Sequence, residues 1–162
     1  MLLAIDPGNE LTGYVLMDAE YTPHSFGKIR NEEMRDILYQ GEYTEAVIER
    51  VASYGMPVGE TVFETCVEIG RYIEIARIRQ RPVYLIYRRE VKTNICNSPR
   101  ANDATIRQAL IDRFAKNTPN GGKGYKREPG FFYGFKADIW QAYALGVTFY
   151  DQRRWMHNAE RK

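Results

Sequence analysis

Three carboxylates stand out by position. Asp6 ends the apolar run LLAI and precedes Pro7-Gly8. Glu49 follows Ala46-Val47-Ile48, a second run that should be buried. Asp138 lies in KADIWQAYALG, at the head of the last apolar stretch. Burying an ion at such places is costly unless something compensates. Strand ends of open α/β sheets are also where ligands bind. Carboxylates from three distant parts of a chain can converge on a divalent cation. Hard oxygen donors suit Mg²⁺, which keeps waters and takes phosphate oxygens as further ligands. Two such ions can stabilise the attacking and leaving oxygens of a phosphodiester hydrolysis. Each acid also has a plainer reading. Asp6 suits an Asp-Pro-Gly turn that accepts backbone N–H bonds. Asp138 suits the start of a helix, where the dipole favours an acid. The two histidines, His24 and His157, and the two cysteines, Cys66 and Cys96, form no competing metal or nucleophile set, and the cysteines read as reduced thiols.

The elements that must position these acids follow from periodicity. Residues 2–6 read as a buried strand and 12–17 as its hairpin partner, with 25–30 a third strand. Asn31 can cap a short helix over 32–38. EAVIERV, 45–51, reads as a buried strand. In 57–79, Val58, Val62, Cys66, Ile69, Ile73 and Ala76 recur at helical spacing, with Glu60, Glu64 and Glu68 on another face. PVYLIY, 82–87, is a further strand. Asn102 or Asp103 begins a helix to about Ala115. Residues 117–130 hold Gly, Pro and Lys/Arg without periodicity and read as a mobile basic loop. A helix over 137–152 closes the chain, with a frayed basic tail over 153–162. Early strands joined by short turns, then alternating strands and helices, indicate a single α/β domain over 1–152 with a mixed central sheet flanked by helices.

The chain has 162 residues, 44% hydrophobic and 27% charged, enough for one domain with a full core. No run is long enough for a membrane span, and the N-terminus lacks a signal-peptide pattern. The expectation is a cytoplasmic protein with no membrane partner. Net charge is +2, but residues 1–70 hold 4 Lys/Arg against 13 Asp/Glu, whereas 71–136 hold 15 against 5. A basic middle with interleaved Tyr and Arg is what a phosphate-binding surface needs, although many basic surfaces are simply solvated.

Taken in order, these motifs resemble the RuvC Holliday-junction resolvases, particularly their small phage-type relatives, over most of residues 1–150. IDPGNELTGY resembles that family's first-strand signature and VIERV the strand bearing its catalytic Glu. YRREVKTNICNSPRANDATIRQALIDRF resembles its basic strand-to-helix segment, and ADIWQAYALGV its last helix. The resemblance implies a ribonuclease H-like fold and a crossover junction endodeoxyribonuclease with Mg²⁺ or Mn²⁺, two ions per site. It also implies a homodimer that meets the two strands to be cut, and a cut leaving a 5′-phosphate and a 3′-hydroxyl. Origin in a phage within a bacterial host is one setting. Asp6, Glu49 and Asp138 carry over as catalytic metal ligands. The family's last helix starts with two Asp three residues apart; here Gln141 stands at the second position. Alternatively Asp138 aligns with the second, and Phe135 replaces the first. Gln141 can still offer a carbonyl oxygen to a metal. DNA contacts are expected from Arg88, Arg89, Lys92, Arg100 and Arg107, and from Lys123, Lys126 and Arg127 in the loop. Tyr54 is a candidate to stack on an unpaired base, or a packed loop tyrosine. The helix over 57–79 matches the family's dimer-forming helix in position, so its apolar stripe is either core or seam. A junction-binding protein with weak or lost cleavage is the alternative reading. A relative acting on flaps or forks would share the chemistry.

Overall fold

The computed structural model describes residues 1–53, 55 and 57–159. Tyr54 lies outside the described residues. Strands β1 (Leu2–Asp6), β2 (Leu11–Met17) and β3 (Pro23–Arg30) form an antiparallel meander. Helix α1 (Asn31–Gln40) leads to β4 (Glu45–Arg50), which pairs parallel to β1. Helix α2 (Glu60–Ile78) leads to β5 (Val83–Tyr87), parallel to β4. The sheet order is β3-β2-β1-β4-β5. Helices α3 (Arg88–Cys96) and α4 (Asp103–Phe114), a small hairpin of β6 (Gly124–Tyr125) and β7 (Glu128–Pro129), and α5 (Ile139–Ala159) complete the chain.

The period of two divides the core. Leu3 and Ile5 of β1 and Ala46 and Ile48 of β4 face α1 and α2, packing on Met34, Leu38, Ile69, Tyr72 and Ala76. Leu2, Ala4 and Val47 face the other way, onto α3, α4 and α5. Every residue of α5 from Ile139 to Phe149 is buried, because the helix is sandwiched between the sheet and its neighbours. Gly146 lets it ride low: a Cβ there would stand 3.2 Å from Ala4 Cβ and closer still to Met17.

Five sequence expectations change. Asn31 does not cap α1. It is that helix's buried first residue, and its Nδ2 donates to Gly8 O (3.0 Å) and Asn9 O (2.9 Å) while its Oδ1 accepts from Thr12 (2.8 Å). It braces the turn beyond Asp6 from behind. Helix α2 starts at Glu60, not 57, and its buried stripe is Thr65, Glu68, Ile69, Tyr72 and Ala76. Val58 and Cys66 are exposed, whereas Glu68 is buried because Arg35 and Arg71 both reach it. The segment after β5 contains a helix the pattern did not show, α3, whose start is closed by Glu90 Oε2 accepting from Tyr87 N (3.0 Å). The segment 117–130 is built rather than loose. Gly122 packs where a Cβ would meet Ala115 and Phe132, and β6 pairs with β7. The chain beyond 152 stays helical to Ala159, with Arg153 on Glu45 (2.7 Å) and Arg154 on the Ala19 carbonyl (2.7 Å).

Candidate active site

Asp6 and Glu49 occupy neighbouring strand ends. Parallel pairing of β1 with β4 runs to Ile5 opposite Ile48, so the next residue on each strand is a carboxylate. Alternation puts both on the face that carries α5, beyond Ala4 and Val47. Asp138, just before α5, reaches them over Gly13. Gly13 is the partner of Asp6 across β1 and β2, and a Cβ there would meet Asp138 Cβ and O at 2.9 Å. The Gly13 of the opening motif thus makes room for the third acid.

Two cations enter this cluster. Lys28 lies opposite Gly13 on β3, and its Nζ is 2.6 Å from Asp138 Oδ2. Arg88, the first residue of α3, donates to Glu49 Oε2 (3.3 Å) and to Asp103 Oδ1 (2.5 Å). A cation at a helix N-terminus runs against the dipole, so the carboxylates hold it there. Burial, and then the Glu49 carboxylate beside it, pushes the Asp6 carboxyl well above its ordinary range, with Asp138 and Asp103 adding to the effect and Arg88 opposing it. Burial also raises Glu49, against the pull of Arg88. Two buried acids whose carboxyls stand above their ordinary range sit in a setting that a divalent ion would relieve.

Gln141 points to the same conclusion. It is only 9% exposed, and its Oε1 is buried with no hydrogen-bond partner among the described residues. Together with Asp103, Arg107, Asp138 and Trp140 it lines a cleft of about 330 Å³. Among the described residues, no three Asp, Glu, His or Cys form a ready metal cage; Glu49 and Asp103 share Arg88, and Asp138 pairs with Lys28. The donor chemistry nevertheless fits a hard cation: carboxylates in excess over cations, and an orphaned amide oxygen beside them.

Beside this site the basic residues gather unevenly. Arg88, Arg89, Lys92 and Arg100 line one cleft of about 360 Å³, with Pro99. Arg107 lies over the Trp140 ring, 5.2 Å from its centroid, at the mouth of the acidic cleft. Lys126 and Arg127 form the exposed tip between β6 and β7, while Lys123 at its base is half-buried. Of the basic residues named from sequence, Arg88 turns inward to the acids, and the others stay on the surface or at the clefts. Asp103, Lys28 and Gly13 were not among the sequence candidates. A Gly opposite the first Asp in a hairpin is the only one of the three with a readable signal.

No family model matches the chain, and no curated protein does. Solved structures do. The chain is similar to the Thermus thermophilus RuvC structure at a TM-score of 0.65 and 13% identity, covering 94% of this chain and 95% of that one. It is also similar to T. thermophilus RuvC in complex with Holliday junction substrate, at 0.63 and 13%, covering 91% and 90%. The chain therefore shares its α/β fold, a mixed five-stranded sheet flanked by helices, with these RuvC structures along nearly its whole length.

Proposed function

We propose that the protein is a metal-dependent endodeoxyribonuclease that resolves four-way DNA junctions by phosphodiester hydrolysis. The observation that carries this reading is the meeting of Asp6 and Glu49 at neighbouring strand ends, with Asp138 admitted beside them by Gly13. The fold shared with a protein solved on a Holliday junction supports branched DNA as the substrate. Mg²⁺ or Mn²⁺, two ions per site, supplies Lewis acidity at the scissile phosphate and a nucleophile at neutral pH. Asp6, Glu49 and Asp138 hold the ions, and Gln141 offers a neutral oxygen. Lys92, at the adjacent basic cleft, offsets charge that builds on the phosphate. Arg89, Arg100, Arg107, Lys126 and Arg127 contact the backbone, which supplies affinity and salt dependence rather than sequence reading.

A homodimer fits the exposed side of α2. Phe63 is 60% and Val67 54% exposed, with Cys66 and Gly70 beside them at positions that share one helix face. A Cβ added at Gly70 would meet nothing within 4 Å, so a second backbone can approach there. Sedimentation tests the seam: a dimeric parent and a monomeric Phe63→Asp variant support it, and an unchanged state refutes it.

The main test is Mg²⁺-dependent cleavage of a synthetic four-way junction by wild type and Asp6→Asn. Cleavage by the wild type that the substitution leaves intact would sink the assignment. Gln141 in place of a carboxylate favours one second reading, a junction-binding protein with weak or lost cleavage. Junction binding without cleavage in either Mg²⁺ or Mn²⁺ would decide for it.

A further inference from the structure

We propose that Asp103 is the fourth carboxylate of this site, in compensation for Gln141, and that Arg88 holds its place until a divalent ion takes over. The inference rests on the metal-dependent reading above. Asp103 is the first residue of α4, but it does not serve as the cap. Asn102 does that, its Oδ1 accepting from Thr105 N (2.9 Å) and from the Thr105 hydroxyl (3.0 Å). The Asp103 carboxylate is thus released from helix capping and reaches Arg88 instead. One guanidinium spans Glu49 and Asp103, Nη1 on the first and Nη2 on the second, so Arg88 joins the two acids at one point of the site. Asp103 also shares the 330 Å³ cleft with Asp138 and Gln141.

Independent support comes from the Gln141 Oε1. It is buried and unpartnered at this cleft, a state that is costly in a native protein unless a ligand relieves it. Charge balance agrees. Among the described residues, Asp6, Glu49, Asp103 and Asp138 form ion pairs only with Arg88 and Lys28, with Lys92 and Arg107 farther off, and the surplus of negative charge over those two pairs matches one divalent cation. Release of Arg88 to a DNA phosphate leaves room for a second. Arg88 also lines the cleft with Arg89, Lys92 and Arg100, so a short swing carries it from carboxylates to phosphate.

The test is Mn²⁺ binding to the full chain without DNA, read as stoichiometry and affinity by electron paramagnetic resonance and calorimetry. Three proteins are compared: wild type, Asp103→Asn, and Asp103→Asn combined with Gln141→Asp. Asp103 is exposed and Asn102 keeps the cap, so the substitution leaves the fold intact by circular dichroism. The expected result is two ions for wild type, a second ion at least tenfold weaker in Asp103→Asn, and recovery in the combined variant. Equal stoichiometry and affinity in wild type and Asp103→Asn overturns the role of Asp103 while leaving the metal reading standing. No Mn²⁺ binding by the wild type overturns both.

Discussion

Helix α5 meets a part-buried carboxylate at two points along its length, and the two are opposites. Past its middle, Asp151 is saturated with donors. Its Oδ1 accepts from Tyr21 OH (2.7 Å) and Arg113 Nη2 (2.8 Å), its Oδ2 from Arg113 Nη1 (2.7 Å) and Asn94 Nδ2 (2.9 Å). Burial works against the charge, but these bonds win, and the Asp151 carboxyl falls below its ordinary range. At the N-terminal end Asp6 is also buried, yet its neighbours are chiefly other carboxylates, and its carboxyl rises. Burial is common to both; the number of donors decides the sign. A saturated carboxylate holds structure together, and an undersupplied one is available for a ligand.

Four measurements test that contrast. The largest effect is expected from Asp6→Asn, which lowers Mg²⁺-dependent junction cleavage by about a thousandfold or more through loss of a metal ligand. The same variant melts no lower than the wild type without metal, because it removes a charge the bare site tolerates poorly. Next is Asp151→Asn, which leaves Arg113 without its ion partner. It should cost about 3 kcal/mol, lowering Tm by about 6–12 °C, with junction binding by the folded protein unchanged. A drop in Tm for Asp6→Asn equal to that for Asp151→Asn would erase the distinction.

The third is the pH profile of stability. A raised folded pKa means that the folded state binds the proton more tightly, so the ionised Asp6 weighs on stability as pH rises. The Tm advantage of Asp6→Asn over wild type should therefore be small near pH 4 and grow toward neutrality. The lowered pKa of Asp151 has the opposite sign. Its contribution is full above the unfolded Asp value of about 4 and is lost as pH falls through the folded value. The Asp151→Asn penalty should shrink in acid. Parallel profiles for the two variants would refute the contrast. The smallest effect concerns the hairpin tip. Lys126→Ala with Arg127→Ala should weaken junction binding several-fold and flatten the salt dependence by about two units of slope, with metal binding unaltered.

Much of the fold is written locally. The strand ending in Asp6 shows because apolar residues run unbroken into a Pro-Gly turn, and α5 shows because its sequence is apolar all round. The α2 stripe differs from its sequence pattern because Glu68 has the look of a surface acid, whereas Arg35, 33 residues away in sequence, pairs with it. Helix α3 leaves little trace in the sequence because RREVKTNIC has few apolar positions to mark a face, and one capping contact from Glu90 decides its start. The loop over 117–130 looked loose because its order comes from glycine contacts with Ala115 and Phe132, which leave no periodic trace.

That Asp6 and Glu49 stand at buried strand ends can be read from the amino acids alone, since alternation and strand length are local properties. So can the separation of the chain into an acidic first part and a basic middle. Which charges meet is a matter of the folded arrangement. Arg88 looked like a surface cation and lies between Glu49, 39 residues back, and Asp103, 15 residues on. Asp138 reaches Asp6 because a distant hairpin has no side chain at Gly13. Such meetings depend on strand register and on how α3, α4 and α5 dock on the sheet. Those are set by packing between parts of the chain remote in sequence, and no local pattern records them.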